Sequence, residues 1–202
     1  NIDPAVEKYV CKKLGLKLLT SGLLYRYVAY KLIKSNKTTS NISFLKKITK
    51  KINLNTLKNS KLYSTKVTEY TSKIAKVKKV RIFLRDYQKK FAAKKCVILE
   101  GRDMGILFPK ADIKFYFKCS LKIAAKRRFK ELKNANNKIT LKGVEKAIKL
   151  RNHVDSTRKF SPLRIPPGAV IVDTTNMNKK QMFRRIFKVV EDKLLLKYGR
   201  NY

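Results

Sequence analysis

The sequence has 202 residues, 44% of them hydrophobic, with ten tyrosines and ten phenylalanines, which is enough to bury a core and excludes a disordered basic tail. Its 51 basic residues outnumber 13 acidic ones for a net charge of +38, so nucleic-acid binding stays among the hypotheses. No apolar run is long enough to cross a bilayer and the first residues carry no signal-peptide pattern, so we expect a cytoplasmic protein.

The first half of the chain is predicted to contain helices, one short strand and a polar loop. Asp3 suits an N-cap, Pro4 suits the first helical position, and Gly15 suits the end of that helix. The predicted elements are a helix over 3–14, a strand over 16–19, a helix over 23–33, a loop over 34–41, and helices over 65–76 and 77–92. Residues 42–59 are lysine-rich and only weakly periodic.

The second half alternates short apolar runs with longer helical patterns. The predicted elements are strands over 96–99, 113–117 and 169–172, helices over 121–133, 140–151 and 178–197, and a loop over 152–168. This alternation is typical of an α/β domain with a mainly parallel sheet. We therefore predict that fold class.

Cysteine and histidine usage gives no indication of a disulfide or a metal site. Cys11, Cys96 and Cys119 are odd in number and lie far apart in the sequence. The single histidine, His153, has no companion with which to form a metal site or a catalytic triad, so we interpret it as an ordinary loop residue.

The segment 96–105 carries the strongest local signal for chemistry. Its apolar run ends in Glu100-Gly101-Arg102-Asp103, which indicates a buried parallel strand with charged groups at its carboxyl end, where open α/β sheets bind ligands. An arginine fork suits a phosphate, and a carboxylate accepts hydrogen bonds from an amine or a hydroxyl. The alternative is a strand-end turn with a local ion pair between arginine and aspartate.

Four separated motifs, taken together, resemble those of bacterial cytidylate kinases, which belong to the nucleoside monophosphate kinases of the P-loop fold. The motifs are Thr20-Ser21-Gly22-Leu23-Leu24-Tyr25-Arg26, the pair Ser72 and Arg81, Glu100-Gly101-Arg102-Asp103-Met104-Gly105, and Arg151, Asp155 and Arg158 followed by Ser161-Pro162-Leu163. The resemblance extends over about residues 14–193. It implies a single three-layer α/β/α domain with a central parallel sheet, a monophosphate-binding segment over about 34–76 and a mobile lid over about 152–167.

The resemblance also implies an activity, the transfer of the γ-phosphoryl group of ATP to CMP, and to dCMP, with Mg²⁺, in pyrimidine metabolism. By their match to the family's motifs, Arg26, Arg102 and Arg158 would bind the CMP phosphate, Arg151 and Asp155 the ribose, and Ser72, Arg81 and Asp103 the cytosine. Ser21 would be a further CMP-binding residue, Arg127 and Arg128 would contact ATP, and the catalytic set would be Arg102, Arg151 and Arg158. No metal-ligating residue is predicted. The expected partners are small nucleotides only, with no membrane or nucleic acid, and we expect a monomer.

The opening of the chain departs from the family's pattern. Asn1-Ile2-Asp3-Pro4-Ala5 resembles the start of a phosphate loop, but no glycine of that loop and no Gly-Lys pair follows. Either these residues are missing from the sequence, or this relative has lost its triphosphate cradle and cannot turn nucleotides over. Thr20 also replaces the family's acid before Ser-Gly.

The candidate site residues can also be interpreted as purely structural, with no part in binding or catalysis. Ser21-Gly22 could form only a strand-to-helix turn, and Tyr25-Arg26 one exposed helical turn. Arg81 could be one more solvated cation on a basic helix, as could Arg127 and Arg128. The segment 151–158 could be a helix C-terminus with favourable dipole charges. At the level of the protein, the alternatives are a degenerate kinase fold and a basic nucleic-acid-binding module.

Overall fold

The computed structural model describes residues 4–94, 96–133 and 139–199, and these residues form two compact units. The first unit spans residues 14–101, and the second unit combines residues 4–13 with residues 102–199. In chain order the elements are α1 (Pro4–Lys13), β1 (Lys17–Thr20), α2 (Ser21–Lys34), α3 (Ile42–Lys50), α4 (Thr65–Ile74), α5 (Lys78–Ala92), β2 (Val97–Glu100), α6 (Met104–Leu107), β3 (Phe115–Lys118), α7 (Leu121–Lys133), α8 (Leu141–Thr157), β4 (Val170–Asp173) and α9 (Lys179–Tyr198).

Parallel strand pairs occur in both units. In the first unit β1 pairs with β2 from Lys17 beside Val97 to Thr20 beside Glu100. In the second unit β3 pairs with β4 from Phe115 beside Val170 to Lys118 beside Asp173. The strands begin one or two residues after their predicted starts, and the predicted α/β class with parallel strands is confirmed. The division into a monophosphate-binding segment over 34–76 and a lid over 152–167 stays a prediction.

The core of the first unit is built around α2. Leu24, Val28 and Leu32 recur at a spacing of four residues, so they lie on one face of the helix, and none is exposed to solvent. This face packs into a cluster that also contains Leu45, Leu57, Leu62, Ile74, Val80 and Leu84. Packing on that scale holds the two ends of α2 in place relative to the helices around it.

Residues 42–59 contain structure that was not predicted. Asn41 caps α3 by accepting a hydrogen bond from the backbone N–H of Phe44 at 2.9 Å. The apolar residues Leu45, Ile48 and Ile52 are buried on one side of this segment, and short 3₁₀ turns follow over Thr56–Lys58 and Ser60–Tyr63. The weak periodicity did not reveal α3, because its lysines lie on the exposed side and obscure a short apolar stripe.

The second unit packs α1 against α9 and α7 against α8. Tyr9 meets the ring of Phe183 edge-on at 4.5 Å between centroids, which joins α1 to α9. A capping box at the start of α9 pairs Asn178 with Gln181 in both directions. The predicted N-cap of α1, Asp3, lies outside the described residues.

Helix α8 is longer than predicted and contains residues that were assigned to a loop. It runs to Thr157, so residues 152–157, including His153, are helical and the loop prediction is wrong for them. The hydroxyls of Ser156 and Thr157 donate to the carbonyl of His153, and no proline interrupts the helix before Pro162. The loop therefore begins only at Arg158, the C-cap of α8.

Close packing explains why the last residue of the 100–105 motif, Gly105, is a glycine. A Cβ on Gly105 would lie 2.4 Å from Cγ of Pro166, closer than two carbon atoms approach. Pro166 is buried, so the segment after α8 rests directly on the backbone of α6. Only glycine permits that contact.

Within the described ranges, none of the helices has the length and apolar character needed to cross a membrane. The three cysteines form no disulfide, with Cys11 buried and Cys96 exposed. Burial beside Glu7 raises the pKa of Cys11 to about 11, so its thiol stays protonated at neutral pH.

Candidate active site

In the first unit, α2 begins directly at the carboxyl end of β1 and places Ser21 at its first position. Ser21 is 3% exposed, and its Oγ accepts a hydrogen bond from Nε2 of Gln88 at 2.7 Å. Because Gln88 lies on α5, this bond joins the start of α2 to a helix 67 residues away. Ser21 is therefore held by a tertiary contact in addition to the local turn.

Arg26, one turn further along α2, contacts the segment before α4 and α4 itself. Its Nη1 donates to the carbonyl of Leu62 at 2.9 Å and to Oγ1 of Thr68 at 2.7 Å. Its guanidinium also lies 5.5 Å from the ring centre of Tyr63. The neighbouring Tyr25 is buried, so the interpretation of this pair as an exposed helical turn is wrong.

Arg81 is buried on α5 although it lies in a strongly basic helix. It is 5% exposed, its Nη1 donates to the carbonyl of Ala75 at 2.9 Å, and its guanidinium lies 5.5 Å from the ring centre of Tyr25. The interpretation of Arg81 as a solvated cation is therefore wrong. Ser72, the other predicted base-reading residue of this unit, lies exposed on α4.

In the second unit, the predicted residues of two motifs come together around the carboxylate of Asp155. Its Oδ2 lies 2.5 Å from Nε of Arg102 and 3.8 Å from Nε of Arg151, and its Oδ1 accepts from Nη1 of Arg158 at 2.7 Å. Nη2 of Arg158 lies 3.9 Å from Asp103. These five residues, here called the arginine cluster, join three guanidinium groups to two carboxylates.

The arginine cluster is built mainly by the end of α8. Residues 151, 155 and 158 follow one another at spacings of four and three, so the helix brings them to one side. Arg158 is held further by donating from Nε to the carbonyl of Ser161, and Arg102 donates to Oδ1 of Asn152. Side-chain contacts therefore hold the 100–105 motif against the motif that contains residues 151, 155 and 158.

The electrostatics of the cluster favour an anion. Burial lowers the pKa of Arg102, Asp155 opposes that effect, and the neighbouring Arg151 and Arg158 lower the pKa further. Arginine nevertheless stays protonated at neutral pH. With three guanidinium groups against two carboxylates, the cluster has an excess of positive charge suited to a phosphate.

Arg127 and Arg128 follow one another on α7 but have different surroundings. Nη2 of Arg127 donates to the carbonyls of Thr174 at 2.7 Å and Met177 at 2.9 Å, in the turn that follows β4. Arg128 is exposed and pairs with Glu131, three residues along the helix. The prediction that both residues contact ATP stays a prediction, and Arg127 has a clear structural role as well.

Replacing Arg127 by methionine should lower the free energy of unfolding by about 3–6 kcal/mol, because it removes two hydrogen bonds from a charged group, each of which contributes about 1.5–3 kcal/mol. Arg128→Met is the matched control and should change it by less than about 1 kcal/mol, as expected for a solvent-exposed ion pair. Urea unfolding followed by circular dichroism measures both values. Equal losses in the two variants would contradict the structural role of Arg127.

Sequence reasoning missed three residues that hold the predicted ones in place. They are Gln88, which binds Ser21, and Asn152 and Ser161, which bind Arg102 and Arg158. Only Gln88 had a usable signal, since it lies seven residues after Arg81 and therefore on the same face of α5. The other two depend on the unexpected length of α8.

The described residues contain no cluster of the side chains that usually hold a metal ion. Within residues 4–94, 96–133 and 139–199, no three side chains of His, Cys, Asp or Glu come together to hold a metal ion. Residues 1–3, on which the comparison with a phosphate loop partly depends, lie outside the described ranges.

Comparison with known proteins gives a consistent result. A family model described as Cytidylate kinase matches residues 4–192. The chain is 32% identical over 207 residues to the cytidylate kinase of Clostridium tetani, covering 96% of this chain and 91% of that protein. It is 33% identical over 198 residues to that of Fusobacterium nucleatum subsp. nucleatum, covering 92% and 90%, respectively. With the family model matching nearly its whole length, this chain belongs to the cytidylate kinase family.

Proposed function

We propose that this protein transfers the γ-phosphoryl group of ATP to CMP, giving CDP and ADP, and that dCMP is also a substrate. The observation that carries the proposal is the family match over residues 4–192, together with relatives that are themselves cytidylate kinases. Neither alternative, a degenerate kinase fold or a basic nucleic-acid-binding module, has support in these comparisons.

The arginine cluster supplies the chemistry that phosphoryl transfer requires. The reaction brings two anionic phosphates together and concentrates negative charge on the transferred group, so catalysis consists mainly of alignment and of stabilisation by cations. Arg102 and Arg158 would bind the CMP phosphate, and Arg26 in the first unit would add a third guanidinium. The bond from the γ-phosphorus to ADP breaks as the bond to the CMP phosphate forms, and no bond to the protein is made, so these residues act by position and charge.

Recognition of the nucleoside would use the remaining predicted residues. Arg151 and Asp155 would hold the ribose hydroxyls, since a carboxylate accepts hydrogen bonds from them. Ser72 and Arg81 would donate to the ring nitrogen and the carbonyl of cytosine, and Asp103 would accept from its exocyclic amine. Uracil has a carbonyl in place of that amine and would be repelled by Asp103.

The proposal also includes the phosphoryl donor, its metal ion and two segments that close over the substrates. ATP is the phosphoryl donor, and Mg²⁺, which proteins commonly hold through substrate phosphates and one or two carboxylates, would accompany it. The described residues contain no group of three metal-binding side chains that could hold Mg²⁺ by themselves. Segments 34–76 and 152–167 would close over the substrates and exclude water that would otherwise accept the phosphoryl group.

A coupled assay of ADP release tests the function directly. The protein is supplied with ATP, Mg²⁺ and, in turn, CMP, dCMP, UMP and AMP. We expect turnover with CMP and dCMP that exceeds turnover with UMP and AMP by at least about tenfold, the ratio that one discriminating polar contact provides. Absence of turnover with every nucleotide would contradict the proposal, and salt-sensitive RNA binding in its place would support the nucleic-acid alternative.

Replacing Asp103 by asparagine should lower kcat/KM for CMP by about tenfold or more while affecting UMP less, since one base-reading contact discriminates by about 1–3 kcal/mol. Asp103 is 8% exposed, and asparagine preserves its size. The substituted amide can donate to the carbonyl of uracil, which the carboxylate repels.

Steady-state kinetics with both nucleotides measures this change in selectivity. Asp192→Asn, which alters an exposed residue paired with Lys188 on α9, serves as the control and should leave both values unchanged. Equal losses for CMP and UMP in Asp103→Asn would remove its role in base recognition.

A further inference from the structure

Gln88 and Ser21 form a polar pair deep in the apolar packing between α5 and α2. Gln88 is 2% exposed, Ser21 is 3% exposed, and 2.7 Å separates Nε2 of Gln88 from Oγ of Ser21. A buried polar group costs stability unless it is hydrogen-bonded. Two apolar side chains would avoid this cost, so the presence of a polar pair here calls for an explanation other than stability.

A second contact between the same helices gives the pair a defined register. Arg81 on α5 lies over the ring of Tyr25 on α2. Arg81 precedes Gln88 by seven residues, and Tyr25 follows Ser21 by four residues. The two helices therefore run in opposite directions along this contact, with the fully buried Leu84 between the two polar residues of α5. Because α5 and α2 are tightly packed on both sides of this pair, the amide of Gln88 is directed at a single atom, Oγ of Ser21.

The direction of the hydrogen bond determines what Ser21 can do. A serine hydroxyl has one proton to donate and two lone pairs with which to accept. Because the amide of Gln88 carries the donated proton, it occupies a lone pair of Oγ and leaves the hydroxyl proton of Ser21 for another acceptor. Ser21 is thereby set as a donor, which suits an oxygen of a nucleotide and does not suit an amine.

We propose that Gln88 is a positioning residue for CMP: it does not touch the nucleotide but orients the hydroxyl of Ser21 so that this hydroxyl donates to an oxygen of CMP. The proposal rests on the proposed function, because it deepens the role of the same site. Its alternative is a purely structural bond that joins two helices and has no effect on the ligand.

Four variants separate these two roles through the affinity for CMP, measured by isothermal titration calorimetry without ATP. Gln88→Met removes the donor at similar length, Ser21→Ala removes the hydroxyl, and the third variant combines both changes. Lys89→Met is the control, since it introduces the same residue on the exposed side of α5. Thermal unfolding of each variant shows separately what the substitutions do to stability.

We expect Gln88→Met and Ser21→Ala each to raise the Kd for CMP by about five- to tenfold, the effect of one hydrogen bond. The double variant should bind no more weakly than the weaker of the two single variants, because Gln88 acts through Ser21. Lys89→Met should bind CMP like the unmodified protein. A structural bond would lower the melting temperature but would not produce this coupling in affinity.

Three outcomes would overturn the proposal. They are an unchanged Kd in a folded Gln88→Met variant, losses that multiply in the double variant, and absence of CMP binding by the unmodified protein. The first two leave the proposed function intact, whereas the third overturns both. If Gln88→Met does not fold, Gln88→Leu replaces it, and the multiplicative test with Ser21→Ala is applied to that variant.

Discussion

Replacing Arg158 by alanine should lower kcat for CMP phosphorylation by about 10³-fold, because an arginine on the accepting phosphate also faces the charge that develops on the transferred group, and arginines that stabilise that charge contribute about 10³–10⁵-fold. Arg158 caps α8 and is aimed by three contacts, with Asp155, with the carbonyl of Ser161 and with Asp103. A guanidinium held in this way needs no reorganisation when charge develops on the substrate.

The kinetics of three variants measure this effect. Arg158→Lys retains the charge but loses the planar fork, so we expect it to recover only part of the lost rate. Arg164→Ala removes an exposed arginine from the same loop and is the matched control, with kcat unchanged. Circular dichroism shows which variants are folded, since Arg158→Ala also leaves Asp155 with one partner fewer. A normal rate in folded Arg158→Ala would refute the assignment.

Replacing Asp155 by asparagine should lower the free energy of unfolding by about 3–5 kcal/mol, the usual cost of removing one partner from a buried ion pair. The carboxylate contacts Arg102 and Arg158, whose side chains are only 16% and 12% exposed. Without it, the guanidinium groups of Arg102 and Arg158 repel one another, and water reaches these two groups poorly enough that the repulsion is only weakly screened.

Urea unfolding followed by circular dichroism tests this prediction against Asp112→Asn. Asp112 pairs with Lys197 in the same unit, but its side chain is 73% exposed. An exposed pair contributes about 0–1 kcal/mol, so the control should be almost as stable as the unmodified protein. If the two variants lost equal stability, the arginine cluster would not depend on Asp155 for its arrangement.

The elements with simple apolar periodicity were predicted well. Helix α7 has its predicted bounds, and α5 begins one residue after its predicted start. The strands were found because short apolar runs between helical patterns leave few alternatives. The failures occurred where local signals conflict, as in α3, where lysines mask the apolar stripe, and at the end of α8, where polar residues resemble a loop.

The candidate site was predicted residue by residue through the motifs, but its contacts were not. Composition placed Arg81 among many solvated cations, whereas the structure buries it against Tyr25. The same applies to Gln88, which looks like a surface residue in a polar stretch and instead binds Ser21. Burial of a polar side chain depends on which helix packs over it, and a local window of sequence shows at most the helix face on which the side chain lies.

By itself the sequence determined the residue types, most of the helices and strands in their order, and the four motifs that identify the family, because all of these are local. The tertiary structure alone decided that Asp155 joins Arg102 to Arg158 and that Gln88 aims Ser21. Gln88 and Ser21 are 67 positions apart and meet only because two helices pack together, whereas Arg102 and Asp155 meet only because the chain after β2 lies against the end of α8.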